Sequence, residues 1–141
     1  MHNEMKNQDL NHHPIMYSAY LISDMSRNSL LSRFSPWHDD ILIHHITICY
    51  PDLYLHPPPD SVYVIGITRN KYVDCVVVSI NGTTKRPQGG IYHATLSVNR
   101  QIGGRSVHSN ELLLQGWNDV QPFEINVYPV LLQSRGIEHQ S

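Results

Sequence analysis

The stretch HHITICY, residues 44–50, contains His-x-Thr followed by an apolar residue, and YHATLSV, residues 92–98, contains the same pattern again. Each copy lies in a run rich in β-branched and aromatic residues, which is typical of a β-strand. Alternate residues of a strand project from the same face, so the His and the Thr of each copy form one side-chain unit. The repeat therefore predicts two similar halves, each built around one His-x-Thr strand.

Strand-like and helix-like segments alternate around these two motifs in the order β α β β β β α β. The other predicted strands are IMYSAYLI, SVYVIGITRN, YVDCVVVSI and FEINVYPVLL, at residues 15–22, 61–70, 72–80 and 123–132. The proline-rich segment 51–60 and the turn-rich segment 81–90 are predicted loops.

Two segments have the periodicity and start signals of helices. Residues 23–34 begin with Ser23 as N-cap, and residues 106–117 begin with Ser106 or Ser109. The apolar stripe of the first helix is predicted to consist of Met25, Leu30, Leu31 and Phe34. One helix accompanies each His-x-Thr strand, which indicates an α+β fold.

The length of 141 residues is that of one domain, which we place at residues 16–133, between a flexible leader (1–15) and a flexible tail (134–141). Ten Lys and Arg against twelve Asp and Glu give a net charge of −2, which argues against binding to long nucleic acid. No apolar run approaches the roughly 20 residues of a membrane span, and no signal peptide is recognisable. Cys49 and Cys75 lie in apolar runs without metal-ligand spacing, as buried thiols of a reducing compartment do. We expect a soluble, cytoplasmic protein with no membrane partner.

Two imidazoles that flank two hydroxyls can cleave a phosphodiester without a metal. One His removes a proton from the attacking oxygen, the other protonates the leaving oxygen, and the hydroxyls bind the phosphate. A single His-x-Thr is usually structural, but two copies at matching strand positions favour catalysis. His44 points away from Thr47, so the predicted catalytic set is His45, Thr47, His93 and Thr95, with no metal and no cofactor. Which His is the acid and which the base is left open.

The motifs HIT at 45–47 and HAT at 93–95 resemble the paired motifs of the 2H phosphoesterase superfamily. Within it, YSAYLISDMSRNSLLSRF, VVVSINGTTKRPQGGIYHATLSV and SNELL are similar to segments of the phage anti-CBASS phosphodiesterases. The resemblance covers roughly residues 17–132.

This resemblance implies a bilobal fold of antiparallel sheets, with a helix on each half and the motifs in a central groove. It implies hydrolysis of 3′,5′ linkages in cyclic di- and trinucleotide second messengers, with the substrate's own 2′-hydroxyl as nucleophile. Such an enzyme would act in the cytoplasm of an infected bacterial host and counter CBASS antiviral immunity. The interval of 48 residues from His45 to His93 is shorter than in the superfamily, which leaves the nucleobase preference and the ring size of the substrate open. The oligomeric state is open as well.

Two alternatives accompany this interpretation. In other branches of the superfamily the same chemistry acts on RNA ends that carry 2′,3′-cyclic phosphates. A non-catalytic sponge would bind cyclic nucleotides and release them intact.

Four further residues are candidates for substrate binding. Tyr17 and Tyr20 face opposite sides of the first strand, and the resemblance favours Tyr17 for stacking on a base. Lys85 and Arg86 lie in the loop before the second motif, where they could close over phosphates as a gate. Trp117 is the second candidate for base stacking. The structural alternatives are a core tyrosine, a solvated basic loop and a packing tryptophan.

Overall fold

A computed structural model of the protein describes residues 14–135 and has two antiparallel sheets and two α-helices. The strands are β1 (Pro14–Ile22), β2 (Asp40–Ile41), β3 (His45–Cys49), β4 (Val62–Arg69), β5 (Val73–Ile80), β6 (His93–Val98), β7 (Asn118–Glu124) and β8 (Val127–Arg135). The helices are α1 (Asp24–Arg33) and α2 (His108–Leu114), and a 3₁₀ turn covers Arg100–Ile102. The strand orders are β3–β1–β8 and β2–β6–β5–β4–β7, which confirms the predicted α+β class. Between residues 14 and 135, neither helix combines the length and apolar character that a bilayer crossing requires.

β1 and β8 pair along their whole length, from Pro14 opposite Arg135 to Ile22 opposite Val127. This pairing begins two residues before the predicted domain and ends two residues after it. The remainder of the predicted leader and tail, residues 1–13 and 136–141, lies outside the described residues.

One extended segment contributes to both sheets. β2 pairs with β6, and the N–H of Ile43 continues this ladder by donating to the carbonyl of Thr95 at 3.0 Å. At Ile43 the backbone adopts φ 47°, which is rare for a β-branched residue and is held here by a fully buried side chain. From His44 onward the chain pairs with β1, whose Ile22 N–H donates to the His44 carbonyl at 3.0 Å. The two His-x-Thr strands, β3 and β6, therefore lie in different sheets that meet at this bend.

The main core contains residues from both sheets and from α1. Ile46 and Ile48 of β3 belong to it, as do Ala94 and Leu96 of β6, and Leu30 of α1 is fully buried there. Strand side chains alternate between faces, so the His and Thr of both motifs project from the faces opposite this core.

α2 covers the other face of the larger sheet. Its Leu113 packs with Cys75 and Val77 of β5, and Trp117 packs at the edge of this small cluster. Cys49 and Cys75 are both buried and form no disulfide, as predicted.

The helix starts were predicted with mixed success. Ser23 caps α1 by accepting a hydrogen bond from the N–H of Ser26 at 3.2 Å, as predicted. The cap of α2 was wrong, because the N-cap is Val107, which makes no side-chain cap bond. Ser109 lies inside α2, and its hydroxyl bonds Thr95 instead.

The apolar stripe of α1 was wrong at Met25, which is 78% exposed. Five residues separate Met25 from Leu30, and at 3.6 residues per turn the two side chains lie about 140° apart around the helix. Leu31 and Phe34 pack against the core as predicted.

The predicted last strand, 123–132, is in fact split between β7 and β8. A residue far away in the sequence holds the turn between them, because the N–H of Asn126 donates to the Ser26 hydroxyl of α1 at 2.7 Å. Ile125 is 3% exposed and anchors the turn in the core. No Gly or Pro marks this turn in the sequence.

Burial predicts unequal effects of truncating two apolar residues of α1. Leu30→Ala should lower the free energy of unfolding by about 2–5 kcal/mol, because it leaves a cavity in the core. Met25→Ala, the control, should change it by less than about 0.5 kcal/mol. Urea denaturation of both variants measures the difference, and equal losses would contradict the assigned packing of α1.

Candidate active site

The bend at Ile43 determines how the two motifs meet. Ile43 pairs with Thr95 in an antiparallel ladder. His45 lies two residues after Ile43, and His93 lies two residues before Thr95, so the register places the two histidines opposite each other. Because the strands separate at the bend, the two histidines lie at the start of a cleft between β3 and β6. Consistent with this, repulsion from His93 is one of the causes that lower the pKa of His45.

His45 is a neutral imidazole in this environment. Burial, followed by repulsion from His44 and from His93, lowers its pKa from 6.5 to about 3. An imidazole that is neutral at physiological pH has a lone pair and can accept a proton. The geometry therefore favours His45 as the base.

Two neighbours hold the His45 ring. The Tyr17 hydroxyl lies 3.4 Å from Nε2 of His45, and Nδ1 of His44 lies 2.9 Å from Nδ1 of His45. Burial and repulsion from Tyr50 raise the pKa of Tyr17 to about 12, so its hydroxyl keeps its proton at physiological pH. If Tyr17 donates to Nε2, Nδ1 of His45 donates to His44; the reverse directions form the other consistent arrangement. His44 is exposed, which agrees with the solvated one of the two predicted alternatives, and it also contacts His45 directly.

The backbone just before β6 holds the His93 ring. The residue is 1% exposed, and its Nδ1 lies 2.7 Å from the carbonyl oxygen of Ile91. A carbonyl can only accept, so Nδ1 carries a hydrogen and, in the neutral ring, Nε2 carries the lone pair. Nε2 is therefore the nitrogen through which His93 can exchange a proton with a ligand.

The two threonines are equally buried but differently bonded. Oγ1 of Thr95 lies 3.1 Å from the Ser109 hydroxyl on α2. Oγ1 of Thr47 is buried and, among residues 14–135, meets no hydrogen-bond partner. A buried hydroxyl without a partner is unfavourable for stability, so this oxygen is suited to bonding a ligand.

A cavity of about 200 Å³ lies at the end of β3. It is lined by Ile48, Cys49, Tyr50, Arg86, Gln88, Gly89 and Asn110. Arg86 is half-buried and donates from Nε to the carbonyl of Gly89 at 3.2 Å, whereas Lys85 is exposed. Of the two predicted basic residues, Arg86 is the one that presents its charge to this cavity.

The two aromatic candidates lie in different places. Tyr17 is 4% exposed, with its ring 5.7 Å from His45 and 5.4 Å from Tyr50 between centroids. Tyr20 lies in the main core, as expected from its opposite face. Trp117 packs so closely on Gly66 that a Cβ there would collide with the indole. Contact of substrate with Tyr17, Trp117 or the basic pair stays a prediction.

Sequence reasoning missed three residues near the cleft. Tyr50 contacts the Tyr17 ring, and Asn110 of α2 lines the cavity. Tyr50 was missed because a bulge where β3 pairs with β1 interrupts the alternation of side chains between the two faces of the strand. Ser109 lies one residue before Asn110 and was assigned to a cap; only the packing of α2 on β6 reveals its bond to the motif.

Comparisons of the chain with models of protein families, with curated proteins and with solved structures give no match.

The lowered pKa of His45 predicts a pH-dependent stability. His45 takes up a proton near pH 6.5 in the unfolded chain and near pH 3 in the folded chain. The free energy of unfolding therefore keeps its full value above pH 6.5 and decreases as the pH falls from 6.5 toward 3. The slope is at most about 1.4 kcal/mol per pH unit. Urea denaturation between pH 7 and 4 should show a shallower decline for His45→Asn than for the unmodified protein. Equal declines would mean that His45 titrates normally.

The two threonines should respond oppositely to loss of the hydroxyl. Thr47→Val should leave the free energy of unfolding unchanged or raise it by about 1 kcal/mol, because it removes an unpaired buried oxygen. Thr95→Val should lower it by about 1 kcal/mol, since the Ser109 hydroxyl loses one of its hydrogen-bond partners. Parallel thermal or urea unfolding tests this contrast, and a clear loss for Thr47→Val would contradict it.

Proposed function

We propose that the protein is a metal-independent phosphodiesterase that hydrolyses 3′,5′ linkages of cyclic di- and trinucleotide second messengers and so counters CBASS immunity in an infected bacterium. The observation that supports it most is the arrangement of His45 and His93. They come from two sheets and from positions 48 residues apart, yet lie close enough for one to influence the pKa of the other.

The residues supply each proton transfer of the reaction. Neutral His45 takes the proton from the ribose 2′-hydroxyl, whose oxygen attacks the phosphorus while the bond to the 5′-oxygen breaks. His93, protonated on Nε2, donates that proton to the leaving 5′-oxygen. The products of this step are an opened ring and a terminal 2′,3′-cyclic phosphate, and attack of water on that cyclic phosphate then gives a 3′-phosphate and completes the hydrolysis. The negative charge of a bound phosphate favours the protonated form of a nearby imidazole.

The hydroxyls stabilise the developing charge on the phosphate. Oγ1 of Thr47 donates to a non-bridging oxygen and so gains a partner, which it lacks among residues 14–135. Thr95 is held by Ser109 and directs its oxygen from the other strand. The catalytic set remains His45, Thr47, His93 and Thr95.

Arg86 supports a substrate with more than one phosphate. Its guanidinium lines the cavity at the end of β3, where it can bind a second phosphate of a cyclic dinucleotide. The cavity, about 200 Å³, is smaller than the roughly 300–1,000 Å³ of a typical small-molecule site, so it would hold one part of the ring.

The test is chromatography of cyclic di- and trinucleotides after incubation with the protein in EDTA. Ring opening supports the proposal. Activity confined to RNA ends with 2′,3′-cyclic phosphates would transfer the chemistry to that substrate class. Stoichiometric binding with release of intact ligand on denaturation would replace the enzyme with a sponge.

Removing either imidazole should abolish turnover while the protein stays folded. His45→Ala and His93→Ala should each lower the rate by roughly 10²–10⁴-fold, the usual contribution of a positioned acid or base. The matched control is His38→Ala, because His38 bonds the carbonyl of Asn70 at the β4–β5 turn and should keep most of the activity. Unchanged cleavage by the His45→Ala/His93→Ala double variant would refute the catalytic assignment.

A further inference from the structure

A second group of chemically reactive side chains lies just beyond the end of β3. The Cys49 sulfur, a carboxylate oxygen of Asp52 and an imidazole nitrogen of His56 all lie within 4.8 Å of one another. Cys49 ends β3, and the other two stand on the loop that follows. Thiolate, carboxylate and imidazole are the three ligand types that zinc uses in proteins.

The separations are close to those of a tetrahedral zinc site. Zinc bonds of 2.0–2.3 Å at tetrahedral angles place neighbouring ligand atoms about 3.3–3.6 Å apart. Nε2 of His56 lies 2.9 Å from Oδ2 of Asp52, so this pair would open by a few tenths of an ångström. The sulfur would move by roughly 1 Å at most from the 4.8 Å limit.

A buried hydroxyl connects two of the three groups. The Ser18 hydroxyl on β1 donates to Oδ2 of Asp52 at 2.7 Å and accepts from the N–H of Cys49 at 3.2 Å. The Asp52 N–H donates to the Met16 carbonyl at 3.0 Å, and the Tyr54 N–H donates to Oδ1 of Asp52 at 3.0 Å. Such outer bonds hold the ligands of metal sites in orientation.

The three side chains of this group are largely buried but remain partly accessible to solvent. Cys49 is 6% exposed, and the Asp52 and His56 side chains are each 19% exposed. Cys49 also lines the cavity that contains Arg86, so an ion there would have access to water as a fourth ligand.

We propose that Cys49, Asp52 and His56 bind one zinc ion, with Ser18 as the outer residue that orients them. The ion fastens the loop after β3 to the end of that strand, which carries His45, and the Ser18 hydroxyl connects the site to β1. Cys49 follows His45 by four residues, or about 13 Å at 3.3 Å per residue, so the zinc takes no part in the reaction of the two histidines.

The test measures metal binding and not turnover, which keeps it independent of the phosphodiesterase proposal. Equilibrium dialysis of the full chain against zinc, under a phosphine reductant, should give one tightly bound equivalent. Cobalt(II) titration should give a thiolate-to-metal charge-transfer band. Cys49→Ser should remove that band, and His56→Ala should lower zinc affinity by at least about tenfold. Ser18→Ala should lower it roughly 10- to 100-fold, as loss of an outer partner does.

The matched control is Cys75→Ala. Cys75 is the other buried thiol and lies beside Ser109, outside the cluster. This variant should keep both the band and the affinity. Circular dichroism reports whether each variant folds, and if Cys49→Ser does not fold, His56→Ala decides the question. Failure of the folded protein to bind one equivalent, or an unchanged zinc affinity in His56→Ala, would overturn the proposal.

Discussion

The change of hydrogen-bonding partner at Ile43 is the constraint on which the rest of the structure depends. Before this residue the chain extends the larger sheet, and after it the chain joins the smaller one. A left-handed backbone angle on a β-branched residue is unfavourable in isolation, and it persists because the side chain is fully buried in the core. The bend separates two strands that would otherwise continue as a ladder. The separated strands form the walls of the cleft.

This geometry explains how a His-x-Thr motif can recur in two sheets and still bring its two histidines near each other. The histidines need no long-range connection to find each other, because the antiparallel register carried through the bend aligns them. Their immediate surroundings differ. One ring contacts a tyrosine and a second histidine, and the other bonds its own backbone. That difference gives two chemically identical side chains separate surroundings, which the proposed acid and base roles would use.

The sequence allowed prediction of the strands, the α+β class and the pairing of each His with its Thr, because these depend on alternation within one segment. It did not reveal that the motif strands belong to different sheets, since the bend depends on burial of Ile43 in a core assembled from distant strands. The turn that divides β7 from β8 was missed for a similar reason, because the hydroxyl of Ser26 holds it. Tyr50 and Asn110 were not found, because a bulge and a helix contact place them near the cleft. Prediction succeeded for features that depend on the periodicity of one segment. It failed for features that depend on a side chain far away in the sequence.

The ladder between β1 and β8 has a consequence for the order of folding. β4, β5 and β6 follow one another in sequence and pair as neighbours, so the sheet that carries His93 can begin to assemble from short-range contacts. β1 lies between β3 and β8 and must retain an open edge until the last strand arrives from the far end of the chain. The half that holds His45 therefore depends on pairing between strands far apart in the sequence, and until β8 pairs, the unpaired backbone edge of β1 is open to pairing with another strand.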